Sequence, residues 1–412
     1  MLTETPRSYR QLLRMHGVPE LLLAACLSRL AGRMFMLAIV LDVLDRFHSP
    51  VLAGWVSFAS IAPGLAISPL AGALLDRIGA AKAIVVDMAA SATLLFVLAV
   101  AGIAGVMTAP FLLLLVTLFS LTSPLSAAGI RTLIPQIVPK DALDRANALD
   151  TSSYALIDVL GPALAGVLFG FAGPQATMLA ITLLYVLASL GLVPLASRTL
   201  TRRSDSSGRL IHEAIAGVAY VVRHRSLRGL AISYALYQVS WGVLVVVVPV
   251  TVVYELGAGA IGDSVVGGLW AIAGIAGGLG ALCTGYLRTI QRERQFIAIG
   301  ALATAVAIYP ISATLGLLGL TFGLALVGFF AGPVDVGVLS LRQRRTEPNW
   351  FGRVLAVSMS LNMSGLPLGS ALGGLLVTHS LPMAFAVAAI ASALSALSAY
   401  VLVPARSDEG LV

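Results

Sequence analysis

Arg29, Arg33, Asp42, Asp87, Asp158 and Asp335 all lie within long apolar runs of the chain. An ionised side chain surrounded by hydrocarbon is costly, so each of these residues has a compensating partner or performs a task that needs its charge. A carboxylate placed there can carry a proton, because burial favours its neutral form and water access its charged form. Asp158 and Asp335 are the first candidates for such proton coupling. Asp87 and Asp42 follow, Asp42 standing near the end of its run where water is close. The structural alternative for each is a pair with an arginine from a neighbouring helix. Arg29 and Arg33 are one helical turn apart and therefore share a helix face. Two guanidinium groups at that depth require an acidic partner, a wet cavity or an anion. One reading makes the cavity electropositive, suited to a cargo with a carboxylate or phosphate. The competing one has Asp158 or Asp335 neutralise one arginine, so that protonation releases it. Asp42 is a poor partner for both, because it lies about 13 Å beyond Arg33 along a helix.

A second constellation is Tyr234, Tyr237, Gln238 and Trp241, which recur at three- and four-residue steps. Such a stripe is either core packing or a cavity wall offering apolar area with hydrogen-bonding groups. The phosphate-loop, HExxH zinc and GxSxG nucleophile patterns do not occur in the sequence. Neither ATP hydrolysis nor enzymatic catalysis is expected, no cofactor or metal is implied, and energy must come from an ion or solute gradient. Cys26 and Cys283 both fall in apolar runs, which leaves no material for a disulfide framework.

The elements that hold these residues follow from composition. Hydrophobic residues make up 58% of the chain and charged residues 11%, against roughly 25% charged in a soluble domain. Mean hydropathy is +0.96. The apolar runs are long enough to cross a hydrocarbon core of about 30 Å as helices, and they lack the alternation of a membrane barrel. Twelve crossings are predicted, at roughly 20–44, 50–75, 83–106, 110–134, 146–170, 174–196, 228–254, 263–287, 295–315, 318–341, 352–377 and 382–403. The first is too long for a signal-peptide core and is expected to remain in the mature protein.

Lysine and arginine set the orientation. With the N-terminus inside, 23 of the 26 basic residues fall on inner segments, Arg46 is in an outer loop, and Arg29 and Arg33 are within crossing 1. Both termini are therefore expected in the cytoplasm, with the protein in the cell's inner membrane. The +7 net charge is then a topology signal, with no nucleic-acid partner implied. The polar stretch ASRTLTRRSDSSGR (196–209) divides the chain, giving expected units of 1–196, 197–227 and 228–412. The linker unit includes an amphipathic helix on the inner surface. The halves repeat one another. Pro124 and Pro139 bracket Arg131, and Pro333 and Pro348 bracket Arg342 at the same spacing.

Between crossings 2 and 3 the chain reads GALLDRIGAAK, with Gly72, Asp76, Arg77 and Gly79. This resembles the inner-loop motif G-x-L-x-D-R-x-G-R-R of the major facilitator superfamily, with Ala80 and Ala81 in place of the basic pair. GPALAG, holding Gly161, Pro162 and Gly166, is similar to the superfamily's G-P-x-x-G-G element, which is associated with exporters working as antiporters. RTLIPQIVPKDALDRANAL and FGRVLAVSMSLNMSGLPLGSALGG resemble the macrolide-efflux and siderophore-export subgroup. The resemblance implies an all-α membrane protein of two pseudo-symmetric six-helix bundles. It further implies a monomeric, proton-coupled exporter of a small amphiphilic compound, working by rocking about a central site. Gly72, Asp76, Arg77, Gly79, Arg131, Gly161, Pro162 and Gly166 are its expected conformational elements. An anionic metabolite or lipid held by Arg29 and Arg33 is the alternative cargo, and a non-transporting membrane receptor a remote one.

Overall fold

The computed structural model describes residues 9–139, 142–198, 216–257, 259–287, 292–346 and 351–404. Through these the chain makes twelve crossings. Crossing 1 is Val18–Phe47, 2 is Pro50–Ala59 with Ala62–Ile78, 3 is Ala80–Ile103, and 4 is Ala109–Thr122 with Pro124–Ile137. A helical stretch, Leu143–Arg198, is interrupted at Gly173 (φ 82°), which separates crossing 5 (143–172) from crossing 6 (174–198). Crossing 7 is Arg225–Leu256, 8 is Ala260–Leu287, 9 is Glu293–Val306 continued by the π-helical Ala307–Ser312, and 10 is Gly316–Arg344. Crossing 11 is Phe351–Met363 with Gly365–Val377, and 12 is Leu381–Leu402. An even number of passes puts both chain ends on one face, called here the terminal face. Before crossing 7 a short helix at residues 216–223 packs Val221 against Leu227 and Val354 at that face. The rest of the expected surface helix, and the linker at 199–215, lie outside the described residues.

The broken crossings have a common cause. Proline removes a backbone donor and clashes with the preceding turn, and in a membrane the freed groups must be satisfied by neighbours. Crossing 2 breaks before Pro63, and the Gly64 amide donates to Ser120 Oγ at 3.0 Å. Crossing 4 breaks at Ser123–Pro124, and the Ser126 amide donates to the buried carboxylate of Asp87 at 3.1 Å. Asp87 thus caps a mid-membrane helix start, a structural task, with the Ser91 hydroxyl also donating to it. In crossing 9 the residue before Pro310, Tyr309, is forced out of helical geometry (φ −142°, ψ 123°).

Within lipid the hydrophobic effect gives helices little reason to associate, so close packing of small residues decides who touches whom. Inside the second half, Gly365, Gly369 and Gly373 of crossing 11 lie on the backbone of crossing 7, and Gly328 and Gly332 of crossing 10 on that of crossing 8. The halves meet by the same means. A Cβ on Gly374 of crossing 11 would stand 2.5 Å from the Pro50 carbonyl oxygen and 3.0 Å from Gly54 Cα of crossing 2. A Cβ on Gly166 of crossing 5 would stand 2.6 Å from the Asp263 carbonyl oxygen and 2.7 Å from Gly267 Cα of crossing 8. Pro50, Gly54, Gly166, Gly170, Ala260, Gly267 and Gly374 all belong to the part of their crossings away from the terminal face. The seam is therefore clamped on that opposite side.

Valine at Gly54 or Gly374 should force the clamp apart, at a cost of about 1–3 kcal/mol for overpacking. Spin labels on crossings 2 and 11 near the opposite face should report a longer separation in Gly374→Val than in the native protein. An unchanged distance distribution would show that this glycine contact does not hold the halves together.

Candidate functional site

Crossings 1 and 5 run parallel and pack along much of their lengths, and glycine sets how closely they approach. A Cβ on Gly161 would collide with Cβ of Arg33. With hydrogen there instead, Arg33 Nε reaches Asp158 Oδ1 at 2.6 Å. Both side chains remain close to half exposed, at 44% and 46%. One turn toward the terminal face Arg29 is held differently. Its Nη2 donates to Asp150 Oδ1 at 2.6 Å, its Nη1 to Ser153 Oγ at 2.8 Å, and its guanidinium covers the Tyr154 ring at 3.8 Å. Arg29 and Asp150 are each only 10% exposed. The arginine pair is thus two separate ion pairs with crossing 5, not a bare dicationic patch. Asp150 was not among the candidates from sequence. Its signal was its spacing from Asp158, eight residues, which puts both carboxylates on one helix face.

The second half faces this site with one carboxylate. Asp335 of crossing 10 is exposed and accepts a 2.7 Å hydrogen bond from Tyr234 Oη of crossing 7. Crossing 8 links crossing 10 to Asp158, since a Cβ on Gly274 would stand 3.6 Å from the Asp158 carbonyl oxygen and a Cβ on Gly328 of crossing 10 would collide with the Ala273 backbone of crossing 8. Asp158 and Asp335 thus stand on crossings of opposite halves that both pack against crossing 8.

The aromatic stripe of crossing 7 divides. Tyr237 is buried among second-half core residues with its hydroxyl 3.3 Å from Thr304 Oγ1, and Gln238 is buried with its amide donating to Met363 Sδ at 3.4 Å. Tyr234 and Trp241 keep partial exposure. Trp241 lies beside Trp270 of crossing 8, ring centroids 6.0 Å apart, a partner that a one-helix pattern could not reveal. Asp42 is buried and bonded at 3.0 Å to Arg46 of its own crossing, not to an arginine from a neighbour. Asp87 is the cap described above. Neither reaches the seam.

The resemblance residues fall on terminal-side turns and on the seam. Gly79 ends crossing 2 with φ 86°, a backbone conformation that glycine adopts without strain. Arg77 is exposed and Arg131 lies on Pro124–Ile137 of crossing 4. The side-chain surroundings of Gly72 and Asp76 lie outside the described residues. Gly161 and Gly166 present GPALAG to two partners at once, crossing 1 on one side and crossing 8 on the other, with the Pro162 carbonyl against Gly267.

The Major Facilitator Superfamily sequence model matches residues 21–366 and again 230–411. The chain belongs to the major facilitator superfamily. A curated relative, the MFS-type transporter y4rN of Sinorhizobium fredii (strain NBRC 101917 / NGR234), is 49% identical over 397 residues, covering 96% of this chain and 97% of the relative. Among solved structures, a POT family transporter in complex with 5-aminolevulinic acid superposes with a TM-score of 0.69 at 12% identity, over 95% of this chain and 96% of that one. A POT family transporter in complex with thioalcohol conjugated peptide gives a TM-score of 0.67 at 12% identity, over 92% and 94%. At such identity these two establish the fold alone. This major facilitator protein is a multi-pass membrane transporter and not an enzyme, with two six-helix bundles and the charged residues of its seam at their junction.

The two ion pairs predict different costs. Removing one partner of a buried pair strands a charge, so Arg29→Gln should destabilise the folded protein by about 3 kcal/mol. Arg33→Gln removes a half-exposed pair and should cost about 1 kcal/mol or less. Thermal unfolding of the detergent-solubilised protein checks the order, and equal losses from both variants would contradict it.

Proposed function

We propose that this chain is a proton-coupled exporter of a small amphiphilic compound, working by alternating access between its two halves. The observation that carries the reading is the accessible Arg33–Asp158 pair, which lies one turn from the Gly161–Gly166 element where crossing 5 meets crossing 8. A proton on Asp158 removes the charge that holds Arg33, which then turns toward Asp335 across the seam. Deprotonation returns Arg33 to Asp158 and separates the halves' charges again. Proton occupancy is thereby tied to whether charge is shared within one half or between both, which is the coupling an antiporter needs.

Orientation rests on the loop charges. That 23 of 26 basic residues fall on the expected inner segments supports a cytoplasmic location for both termini and the 198–209 loop, in a cell's inner membrane. The clamp on the opposite side then leaves the seam facing inward, the state in which an exporter takes up cargo. GPALAG supports export through its likeness to the antiporter element. The seam lies within a single chain, so a monomer suffices. Anchoring of an anionic metabolite or lipid by both arginines would require breaking both ion pairs, one of them nearly closed to solvent, and is the weaker reading.

Asp158→Asn should abolish flux driven by a pH gradient in proteoliposomes while leaving the protein folded and able to bind cargo. Undiminished gradient-driven flux would remove Asp158 from the mechanism. For orientation, a cysteine at Ser206 in a background lacking Cys26 and Cys283 should resist a membrane-impermeant maleimide in intact cells and react after permeabilisation. Labelling of intact cells would reverse the topology.

A further inference from the structure

We infer that the elbow between the short helix at 216–223 and crossing 7 binds the headgroup of an anionic phospholipid, with Arg223, Arg225 and Arg228 around the phosphate and Val218 and Val222 against the acyl chains beside it. The inference goes beyond the transport reading and holds whatever the cargo, the coupling or the direction.

The short helix has two apolar sides, and the protein covers one of them. Gly217 and Val221 are buried, Val221 against Leu227 of crossing 7 and Val354 of crossing 11. Val218 and Val222, one residue further round, are 43% and 49% exposed. A valine pair left open at the end of a membrane crossing has no protein core to enter, and the apolar phase within its reach is the acyl boundary of the bilayer. Cations crowd the same edge. Arg223, Arg225 and Arg228 are all exposed, and among the described residues none of the three makes an ion pair. The Val222 carbonyl accepts from Arg228 Nη1 at 3.1 Å, which holds that guanidinium beside the end of the short helix and leaves its other donors for a ligand. Arg225 and Arg228 share the first turn of crossing 7, the positive end of its dipole, where a cation is unfavourable unless an anion lies close. Tyr220 and His224 stack there with ring centroids 3.8 Å apart, an aromatic pair of the kind that membrane proteins keep at headgroup level.

The occupant follows from finding both features on one elbow. A free phosphate would meet the arginines and leave the valines in water. An anionic phospholipid brings a phosphate, which guanidinium groups bind in bidentate fashion, and next to it the acyl chains that exposed valines need. The elbow is also fastened to one half of the molecule. Arg345, at the end of crossing 10, donates to Ser226 Oγ at 2.8 Å and to the Pro404 carbonyl beyond crossing 12 at 3.1 Å, and Val354 belongs to crossing 11. A headgroup held at the elbow therefore anchors the second half to the bilayer and leaves the first half free of it.

The test places a fluorophore on Ala219→Cys of the full-length protein lacking Cys26 and Cys283, reconstituted in phosphatidylcholine bilayers, and measures its quenching by lipids brominated on the acyl chains. Brominated phosphatidylglycerol should quench at about a tenfold lower mole fraction than brominated phosphatidylcholine. Arg223→Gln, Arg225→Gln and Arg228→Gln should each reduce that preference, by up to about fivefold per arginine, and the three together should abolish it. Arg14→Gln, which removes an exposed arginine ahead of crossing 1 in the other half, should leave it unchanged. Equal quenching by the two lipids, or a preference that survives loss of all three arginines, would overturn the site. So would an equal loss in Arg14→Gln, which would mean a general surface field. Relief of quenching by inorganic phosphate beyond that by chloride at equal ionic strength would mean a site for free phosphate and would overturn the lipid assignment.

Discussion

Crossing 5 touches two helices through hydrogen atoms where any other residue would present a methyl group or more. Gly161 lies against Arg33 of crossing 1, and Gly166 and Gly170 lie against crossing 8 in the other half. Much of the rest depends on this double approach. Without the first contact, crossing 1 would stand off by a side-chain width, and the short Asp158 could not meet Arg33 at 2.6 Å. Without the second, the halves would lack one of the two glycine contacts that close the opposite side, and Asp158 would lose its place at the seam. The geometry is cheap in lipid because two glycine-lined helices lose little conformational freedom beyond what helix formation already fixed, and gain close van der Waals contact.

The architecture was largely legible in the sequence because membranes restrict it so heavily. Backbone groups in hydrocarbon must be satisfied internally, so apolar runs of sufficient length can only be helices, and their number gave twelve crossings. The proline at position 63 was less legible, since a proline in a membrane helix either bends or breaks it depending on whether a neighbour can serve the freed amide. Ser120 Oγ serves it, and that is a property of crossing 4. Asp87 shows the same limit. Its depth marked it as a candidate for proton coupling, yet the structure spends it on the Ser126 amide, which no pattern within crossing 3 announces. Asp150 shows the reverse. It stands near a predicted helix end, where a carboxylate is ordinarily solvated, and only its meeting with Arg29 makes it part of the site. The stripe on crossing 7 shares one helix face in sequence, but its turns are spread over enough angle that Tyr237 and Gln238 are buried while Tyr234 and Trp241 pack on the edge of the same core with partial exposure.

The two halves share a scaffold and not a chemistry. The proline spacings repeat and both halves carry an arginine between the two prolines. In the first half, however, crossing 1 supplies two cations and crossing 5 two anions, whereas in the second half the Asp335 carboxylate is partnered by a phenol. A symmetric site would place equal charge on both sides, and no rearrangement of charge would then favour one approach of the halves over another. Under the proposed exchange this asymmetry provides the bias, because Arg33 has Asp158 within its own half and would take Asp335 of the other.

Only one of the two arginine pairs is open to solvent. Arg29 has Asp150, Ser153 and the Tyr154 ring around it and almost no solvent. Opening that pair would strand both charges in a low-dielectric setting, where each bears a desolvation penalty of several kcal/mol. Arg33 and Asp158 are joined through Nε, with both side chains half exposed. Water can take over solvation of either group as the pair opens, so opening it costs less than opening the Arg29 pair. The exchange proposed for Arg33 requires such a low cost, since a proton can shift an equilibrium only by its differential affinity for the two states. The closed Arg29 pair ties crossings 1 and 5 together one turn from the Arg33 pair, so under the proposed exchange charge would move within the first half without the half itself coming apart.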